Sequence, residues 1–211
     1  MMTSGKEYFV SSVLGSATND GKSWGKAKAT IAQALALCAA SDTIYVAEDH
    51  AETIVAAAGI DLNVAGVTVI GLGRGSRRPT ITLSTLTTAT FKISAANVLV
   101  RGFRFVNAID SLVKVIDVGA NFFTGEDLDF VGASTFEILS FVNIATTFDN
   151  TTLRRCTALQ PTDPAGTDGG ANTGFVYMVD SENVTLEDCD LCGMFETAIV
   201  HNRTTAAKNL R

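Results

Sequence analysis

The sequence predicts an all-β protein: a short, right-handed parallel β-helix with an N-terminal α-helix that caps its first coil. Three observations favour this fold. A single helical segment lies near the start, short segments rich in Val, Ile, Phe and Thr follow it to the end, and those segments repeat. With 46% hydrophobic and 18% charged residues, the chain has enough apolar surface to offset the entropy lost on folding.

The helical segment is predicted over residues 23–40. Ser23 belongs to the residue types that cap helix N-termini, and apolar side chains then recur at helical spacing. These side chains are Ile31, Ala34, Leu35 and Cys38. Because the open end of a solenoid exposes both its core and its strand edges, we expect this helix to cover the first coil.

The whole chain is predicted to be one domain, because no linker composition interrupts its 211 residues. We divide that domain into four parts. They are an N-terminal arm (1–22), the capping helix (23–40), the β-helix coils (42–200) and a C-terminal tail (201–211). We expect either the tail or a partner to cover the far end of the stack.

An internal repeat defines the coils. Five segments align: Val67–Leu72, Val98–Phe103, Phe123–Leu128, Thr151–Cys156 and Val184–Cys189. Their last residues recur every 25 to 33 positions, which is typical of a solenoid whose loops vary while its strands stay stacked. Apolar and polar residues alternate within each segment, with a further apolar residue such as Phe105 or Phe130 two places beyond. A second strand is predicted before most segments, as at Phe91–Ile93 and Val113–Ile116, and we expect five or six coils.

The alignment brings side chains together on neighbouring coils. Leu128, Cys156 and Cys189 share one inward position. The outward position two residues before them reads, from coil to coil, Arg101, Glu126, Arg154 and Glu187. Arg154 is therefore predicted to lie between two carboxylates, in a ladder whose pairs each stabilise the fold by ~0.2–1 kcal/mol. This structural interpretation competes with a catalytic one, because glycan cleavage also uses outward carboxylates.

Charge and cysteine content argue against several classes of protein. The net charge of −6 disfavours broad binding to nucleic-acid backbones, which need clustered Lys and Arg. No apolar run reaches the ~20 residues of a membrane span, and Met1–Val10 lacks the apolar region of a secretory signal. The four cysteines, Cys38, Cys156, Cys189 and Cys192, are too few for a disulfide scaffold and are predicted to be free thiols in a reducing compartment.

No motif predicts a catalytic residue, a metal or a cofactor. Cys189 and Cys192 have the spacing of half a zinc or redox site, but the chain has no second such pair and only two histidines. His50, between Asp49 and Glu52, fits two interpretations: a general base oriented by a carboxylate, or a turn residue near the first coil.

Two polar segments each fit two interpretations: both are candidates for binding a partner, and the alternatives are a glycine turn between strands for the first and a disordered loop for the second. The glycine-rich turn Gly71–Gly75 matches no phosphate-binding motif, because no helix follows it. The arginines in and after this turn are suited to carboxylate groups on another molecule. The polar loop 160–174 interrupts one coil, and loops of this kind often bind ligands. The predicted partner-binding residues are Arg74, Arg77, Arg78, Asp163 and Asp168.

The first part of the chain resembles a known superfamily. Asn19–Trp24, Ala29–Leu35 and Asp42–Ala47 are similar to the entry of right-handed parallel β-helix proteins of the pectate-lyase-like superfamily. Three further segments look like β-helix proteins found among tailed-phage virion genes: Glu48–Ile54, Val69–Gly75 and Arg78–Thr82. The superfamily includes polysaccharide lyases, tailspike depolymerases, adhesins and inert structural proteins, so the resemblance is informative about fold and weak for role.

The resemblance implies a role in a phage particle. We expect a non-enzymatic virion protein, a capsid decoration or cement protein that binds the major capsid protein of the assembled head as a homotrimer. It would be made in the host cytoplasm and end in the virion. Two alternatives stay open: a tailspike-type depolymerase or polysaccharide lyase that cleaves a glycan, and a tail-fibre or adhesin-like binding module. Nucleic acid, membrane and cofactor are not expected partners.

Overall fold

The computed structural model describes residues 5–133, 136–160, 174–193 and 199–202. Over these residues the chain forms nineteen β-strands, numbered β1 to β19 in chain order. The strands pair in parallel and stack into three sheets, here named A, B and C, which form the sides of a solenoid. The all-β fold predicted from the sequence is confirmed, and the solenoid is consistent with a right-handed β-helix.

Each sheet takes one strand from each coil. Sheet A contains β1 (Glu7–Val10), β2 (Thr43–Val46), β5 (Thr68–Gly71), β8 (Leu99–Arg101), β11 (Thr124–Glu126), β14 (Thr152–Arg154) and β17 (Thr185–Glu187). Sheet B contains β3 (Ala51–Ile54), β6 (Thr80–Leu83), β9 (Arg104–Asn107), β12 (Asp129–Val131), β15 (Thr157–Gln160) and β18 (Asp190–Gly193). Sheet C contains β4 (Ile60–Leu62), β7 (Phe91–Ile93), β10 (Ile116–Val118), β13 (Ser140–Ile144), β16 (Gly174–Met178) and β19 (Val200–Asn202).

Three strands make one coil. β2, β3 and β4 form the first coil, and the same order of sheets recurs until β17, β18 and β19. The register is kept from coil to coil: Thr43 lies beside Thr68, and Thr68 lies beside Leu99. The strands of sheet B were not predicted, because their apolar residues look in the sequence like extensions of the preceding strand. β10 begins at Ile116 rather than at the predicted Val113.

A single residue of left-handed backbone forms the corner between sheets A and B in four successive coils. These residues are Gly102, Asp127, Arg155 and Asp188, with φ of 81°, 50°, 52° and 53°. One such residue turns the chain while the next residue still points inward, as Leu128 does in its coil. Gly and Asp adopt this conformation readily, whereas it costs free energy for Arg155.

The predicted capping helix over 23–40 is wrong in its extent. A 3₁₀-helix spans Trp24–Lys26 and an α-helix, α1, spans Ile31–Leu35. Between them Lys28 pairs with Val10 of β1 in a short parallel bridge. Extended backbone at that point separates the two helical segments, so the apolar spacing continued across a break that sequence periodicity does not reveal.

The short α1 nevertheless covers the start of the solenoid. Thr30 rather than Ser23 is its N-cap, since the Thr30 side-chain oxygen accepts a hydrogen bond from the Gln33 backbone N–H at 3.3 Å. Ile31, Ala34 and Leu35 are buried, and α1 contacts β1, β2 and β4. The predicted N-terminal arm contains β1, which is the first strand of sheet A.

Stacked phenylalanines fill much of the core along the solenoid axis. Phe105 stacks on Phe130 with ring centroids 5.3 Å apart, and Phe130 meets Phe175 edge-on at 5.7 Å. Leu128 and Cys156 are fully buried in the predicted inward column, and Cys189 is half-buried in the next coil. No helix in the described part of the chain is long and apolar enough to span a membrane.

Candidate ligand-binding groove

One outward column of sheet A runs along the length of the solenoid. Its side chains are paired by register in the order Phe9, Tyr45, Ile70, Arg101, Glu126, Arg154 and Glu187. The column is aromatic at its N-terminal end and charged from Arg101 onward. Three neighbouring surfaces follow from this order, which we name the aromatic platform, the arginine groove and the ion-pair ladder.

The ion-pair ladder consists of Arg154, Arg155 and the acids around them. Arg154 Nη1 lies 3.2 Å from Glu126 Oε1, and Arg154 Nε lies 2.7 Å from Glu187 Oε2. The predicted position of an arginine between two carboxylates is confirmed. Arg155 Nη2 also lies 3.4 Å from Glu126 Oε2, so two guanidinium groups share this carboxylate.

A second row of the ladder follows the corner between sheets A and B. Arg155 Nε donates a hydrogen bond to Asp127 Oδ1 at 2.9 Å. Two residues past the same corner, Arg104 Nε donates to Asp129 Oδ2 at 2.8 Å, and Thr157 Oγ1 donates to the other oxygen of Asp129 at 2.9 Å. These outward acids are therefore held by neighbours on adjacent coils.

The arginine groove is an open concavity of about 780 Å³ next to the ladder. Arg74, Arg78 and Arg101 line it, and Asp127 is the one carboxylate among its lining residues. Within the described part of the chain, none of the three arginines forms a salt bridge. The groove therefore concentrates positive charge in a protein whose net charge is −6.

Asp127 is committed to the ladder rather than to the groove. Its carboxylate accepts hydrogen bonds from Arg155 Nε at 2.9 Å and from Arg155 Nη2 at 3.3 Å. This hydrogen bonding is the main cause that holds the pKa of Asp127 below its ordinary value, while partial burial opposes it and the charges of Arg78 and Arg101 lower it further. A carboxylate in this state is ionised at neutral pH and is a weak base.

Two glycines on adjacent coils form part of the groove lining. Gly71 ends β5, and Gly102 is the corner residue after β8, with a φ of 81°. A Cβ atom on Gly102 would lie 2.5 Å from the Gly71 carbonyl oxygen, and one on Gly71 would lie 2.6 Å from the Gly102 carbonyl oxygen. Backbone therefore approaches backbone here, and no side chain fits between the two coils.

The structure separates the predicted partner-binding arginines. Arg74 and Arg78 line the groove, whereas Arg77 Nη2 lies 2.7 Å from Glu48 Oε1 and 3.0 Å from Asp49 Oδ2. Arg77 is therefore neutralised by its neighbours.

The remaining groove arginine, Arg101, was assigned by the sequence analysis to the ladder alone. Its register beside Ile70, one residue before Gly71, is the signal that links it to the glycine-rich turn. The other two predicted partner-binding residues, Asp163 and Asp168, lie outside the described residues.

The aromatic platform lies at the other end of the same column. The Phe9 ring packs edge-on against Trp24 with centroids 4.7 Å apart, and stacks with Tyr45 at 5.8 Å. Beside it is an exposed apolar patch made of Val13, Leu14, Trp24 and Leu72. Leu72 also lines the arginine groove, so the patch and the groove are contiguous.

His50 lies in the interior and not in the groove. Its side chain is fully buried, and its Nε2 lies 3.1 Å from Glu52 Oε2. The same oxygen accepts a hydrogen bond from the Ile31 backbone N–H at 2.9 Å, which ties the first coil to the start of α1. A general base for a surface ligand must be accessible, so the structure favours the structural interpretation of His50.

Metal-binding geometry is absent from the described residues, where no group of three or more His, Cys, Asp or Glu side chains is arranged to hold an ion. Cys192 is exposed on β18, and Cys189 is half-buried before that strand. In the part of the chain that the structure describes, Cys189 and Cys192 therefore have no further side chains placed to complete a metal site.

Comparison with known proteins supports the fold. No protein-family model and no curated protein matches the sequence. A solved structure of a rhamnogalacturonan lyase is similar, with a TM-score of 0.66 and 17% sequence identity. The match covers 98% of this chain and 62% of the lyase chain. The likeness supports a parallel β-helix fold, whereas the resemblance to phage virion proteins stays a prediction.

Proposed function

We propose that this protein binds an acidic polysaccharide along the outer face of sheet A and does not cleave it. The observation that carries the proposal is the arginine groove, where Arg74, Arg78 and Arg101 meet one carboxylate that Arg155 already holds. Guanidinium groups pair with carboxylates through two parallel hydrogen bonds. Uronate sugars carry a carboxylate on each ring, so the groove favours a polyuronate over a neutral glycan.

The surroundings of the groove support an extended sugar chain as the ligand. Leu72 connects the groove to the apolar patch, and Trp24 connects that patch to the aromatic platform. Aromatic rings offer flat apolar faces on which sugar rings can pack. The structural relative is named as a lyase of rhamnogalacturonan, so a polysaccharide ligand is also the choice that the comparison favours.

Binding without cleavage follows from the state of the acids. Elimination in a uronate chain needs a base that removes the proton next to the carboxylate. Asp127 is the acid that lines the groove, and its pKa is held below its ordinary value by its hydrogen bond with Arg155. The nearest acid of the outward column, Glu126, is shared by two arginines.

The test is calorimetric titration of the purified protein with polygalacturonate fragments. Loss of one charge-assisted pair corresponds to about tenfold in affinity, so Arg101→Ala and Arg74→Ala are each expected to weaken binding by about that factor. Arg77→Ala is the matched control, because Arg77 belongs to the same loop but is neutralised by Glu48 and Asp49. It should change the affinity by less than about twofold. Added salt should weaken binding by the parent protein.

Three outcomes would contradict the proposal. They are no binding by the parent protein, equal losses in Arg77→Ala and Arg101→Ala, and ultraviolet absorbance from unsaturated sugars released during incubation. The third outcome would retain the glycan ligand and favour the lyase alternative, since elimination creates a carbon–carbon double bond conjugated with the uronate carboxylate.

A second candidate is the capsid decoration protein expected from the sequence resemblance. The exposed apolar patch favours it, because Val13 and Leu14 are 75% and 69% exposed and surfaces of this kind are often covered by another protein. Mixing the purified protein with bare phage capsids separates the two candidates. Saturable capsid binding that is lost in Leu14→Asp and kept in Arg101→Ala would favour the virion role. Binding to polygalacturonate without any binding to the capsids would favour the glycan role.

A further inference from the structure

Two thiols lie together near the C-terminal end of the solenoid, away from the arginine groove. Cys156 follows the corner residue Arg155, and Cys189 follows the corner residue Asp188 on the next coil. The hydrogen-bonded ladder continues past both corners, because the Asp190 N–H donates to the Cys156 carbonyl at 2.9 Å. The two cysteines are therefore stacked neighbours, with Cα atoms separated by about 4.8 Å, the spacing of adjacent strands.

That spacing lies within the ~4.4–6.8 Å between Cα atoms that disulfide bonds allow. Each thiol donates to a backbone carbonyl of the preceding coil, Cys156 Sγ to Gly125 at 3.7 Å and Cys189 Sγ to Leu153 at 3.5 Å, so the two sulfurs occupy equivalent places on adjacent coils. Their mutual interaction is the main cause that lowers the pKa of Cys189 and raises the pKa of Cys156. Since the thiolate is the nucleophile in thiol–disulfide exchange, Cys189 is the more reactive of the two.

Burial assigns the two thiols different parts in such a reaction. Cys156 is fully buried, whereas Cys189 is half-buried and reachable from solvent. Cys38 differs from both, because burial raises its pKa to about 12. Cys192 is exposed on β18, where its register neighbour is Leu159 rather than a cysteine.

We propose that Cys156 and Cys189 form a reversible disulfide that joins their two coils when the protein meets a small-molecule disulfide such as glutathione disulfide. The Cys189 thiolate attacks one sulfur of the oxidant, the oxidant's S–S bond breaks, and one glutathione thiolate leaves. The Cys156 sulfur loses its proton and attacks the Cys189 sulfur of the mixed disulfide, and the second glutathione thiolate leaves. Two protein thiols are oxidised, one glutathione disulfide is reduced, and the two thiol protons pass to the two glutathiones.

The bond would strengthen the end of the stack. Among the described residues, β17 is the last strand of sheet A, and an edge strand exchanges its hydrogen bonds with solvent most easily. A covalent link to the preceding coil restricts the unfolded chain and opposes fraying of that edge. The oxidised protein is therefore expected to unfold several degrees above the reduced protein.

The test is mass spectrometry of the full chain after incubation with glutathione disulfide and removal of excess reagent. Loss of two hydrogens is expected in the parent protein and in the controls Cys38→Ser and Cys192→Ser. It should be absent in Cys189→Ser, a half-exposed position that tolerates a hydroxyl, and in Cys156→Ala. Protease digestion after glutamate cuts at Glu182 and Glu187 and so separates the two cysteines, which should remain linked until a reductant is added.

Three results would overturn the proposal. One is a bond between Cys189 and Cys192, which would disappear in Cys192→Ser. Another is a stable glutathione adduct on Cys189, which would show that Cys156 does not reach it. The last is unchanged mass in a folded parent protein under conditions that oxidise a free dithiol reagent.

Discussion

The ion-pair ladder and the arginine groove share one face of sheet A. The ladder arginines are paired with carboxylates, whereas the groove arginines form no salt bridge with the described residues. In the ladder, Arg154 contacts an acid on each neighbouring coil. In the groove, Arg101 has Ile70 on one side in register and Glu126 on the other, and Glu126 is already shared by two ladder arginines. The alternation of charge thus stops at the coil of Arg101.

This difference shows how a regular solenoid divides one surface between stability and binding. Where opposite charges lie one strand spacing apart, each satisfies the other and the surface is inert. Where the preceding coil offers Ile70, Gly71 and no acid, the cationic groups remain available to a ligand. Four predictions test this comparison, from the largest expected effect to the smallest.

Both surfaces rest on the same inward column, so its disruption should unfold them together. Leu128 is fully buried, and Leu128→Asp is expected to cost about 3–5 kcal/mol because a carboxylate is buried without a partner. Urea denaturation followed by circular dichroism measures this cost. Leu159→Asp is the control, since Leu159 is 49% exposed on β15. If both variants unfold at the same urea concentration, the assigned register is wrong.

The groove depends on the close approach of two backbones. Gly102→Ala is expected to destabilise the protein by about 2 kcal/mol, because its Cβ would meet the Gly71 carbonyl oxygen at 2.5 Å and its φ is positive. Asp188→Gly, at the same corner of a later coil, is the control and should change stability by less than about 0.5 kcal/mol. Equal stability of Gly102→Ala and the parent would show that the backbone around Gly71 and Gly102 can shift to accommodate a Cβ atom at little cost in free energy.

The ladder should respond to charge reversal more than the groove responds to charge removal. Arg154→Glu would leave three acids in register and is expected to cost about 1–2 kcal/mol, less in high salt. Arg101→Ala should cost under about 0.5 kcal/mol, because it breaks no salt bridge. Thermal melts at low and high salt measure both. In the Arg154→Glu background, Glu187→Arg should recover part of the loss; no recovery would argue against direct pairing.

The comparison also separates what the sequence could predict from what it could not. The register of sheet A and the ladder were predictable, because aligned segments carry their charges at equal spacing, as Glu126 and Arg154 do. The strands of sheet B were not, because a left-handed corner such as Asp127 shifts the alternation of inward and outward residues by one. Positive φ has no reliable sequence signal at Arg155.

The groove was half predictable for a related reason. Arg74 and Arg78 are close in the sequence, so a basic cluster was evident, but Arg101 joins them only through coil-to-coil register. The sequence could not show that Arg77 turns to Glu48 and Asp49, because that choice depends on where the loop after β5 lies relative to the first coil. Arg77 and Arg78, which are adjacent in the sequence, therefore belong to different surfaces, whereas the distant Arg101 lies in the same groove as Arg78.

The smallest predicted effect concerns Asp127, the residue at which the ladder and the groove meet. Hydrogen bonding from Arg155 holds the pKa of Asp127 below its ordinary value in the folded protein. Such a group adds stability above its unfolded pKa of about 3.9, and that stability is lost as the pH falls through the lower folded pKa. Asp127→Asn keeps the corner, since Asn accepts positive φ, so the parent should melt slightly higher at pH 7 and the gap should close below pH ~4.

Removing the cause gives the control for this titration. In an Arg155→Gln background the Asp127→Asn substitution should produce a smaller pH-dependent gap in melting temperature, because the carboxylate has lost the main partner that lowers its pKa. A gap of undiminished size would mean that the groove cations, Arg78 and Arg101, hold Asp127 more strongly than the ladder does. Asp127 would then neutralise the groove arginines. In that case Asp127→Asn should tighten polygalacturonate binding far more than it would if Asp127 were paired with Arg155. Thermal melts of Asp127→Asn in the parent and Arg155→Gln backgrounds, together with a titration of polygalacturonate binding, therefore decide to which surface Asp127 belongs.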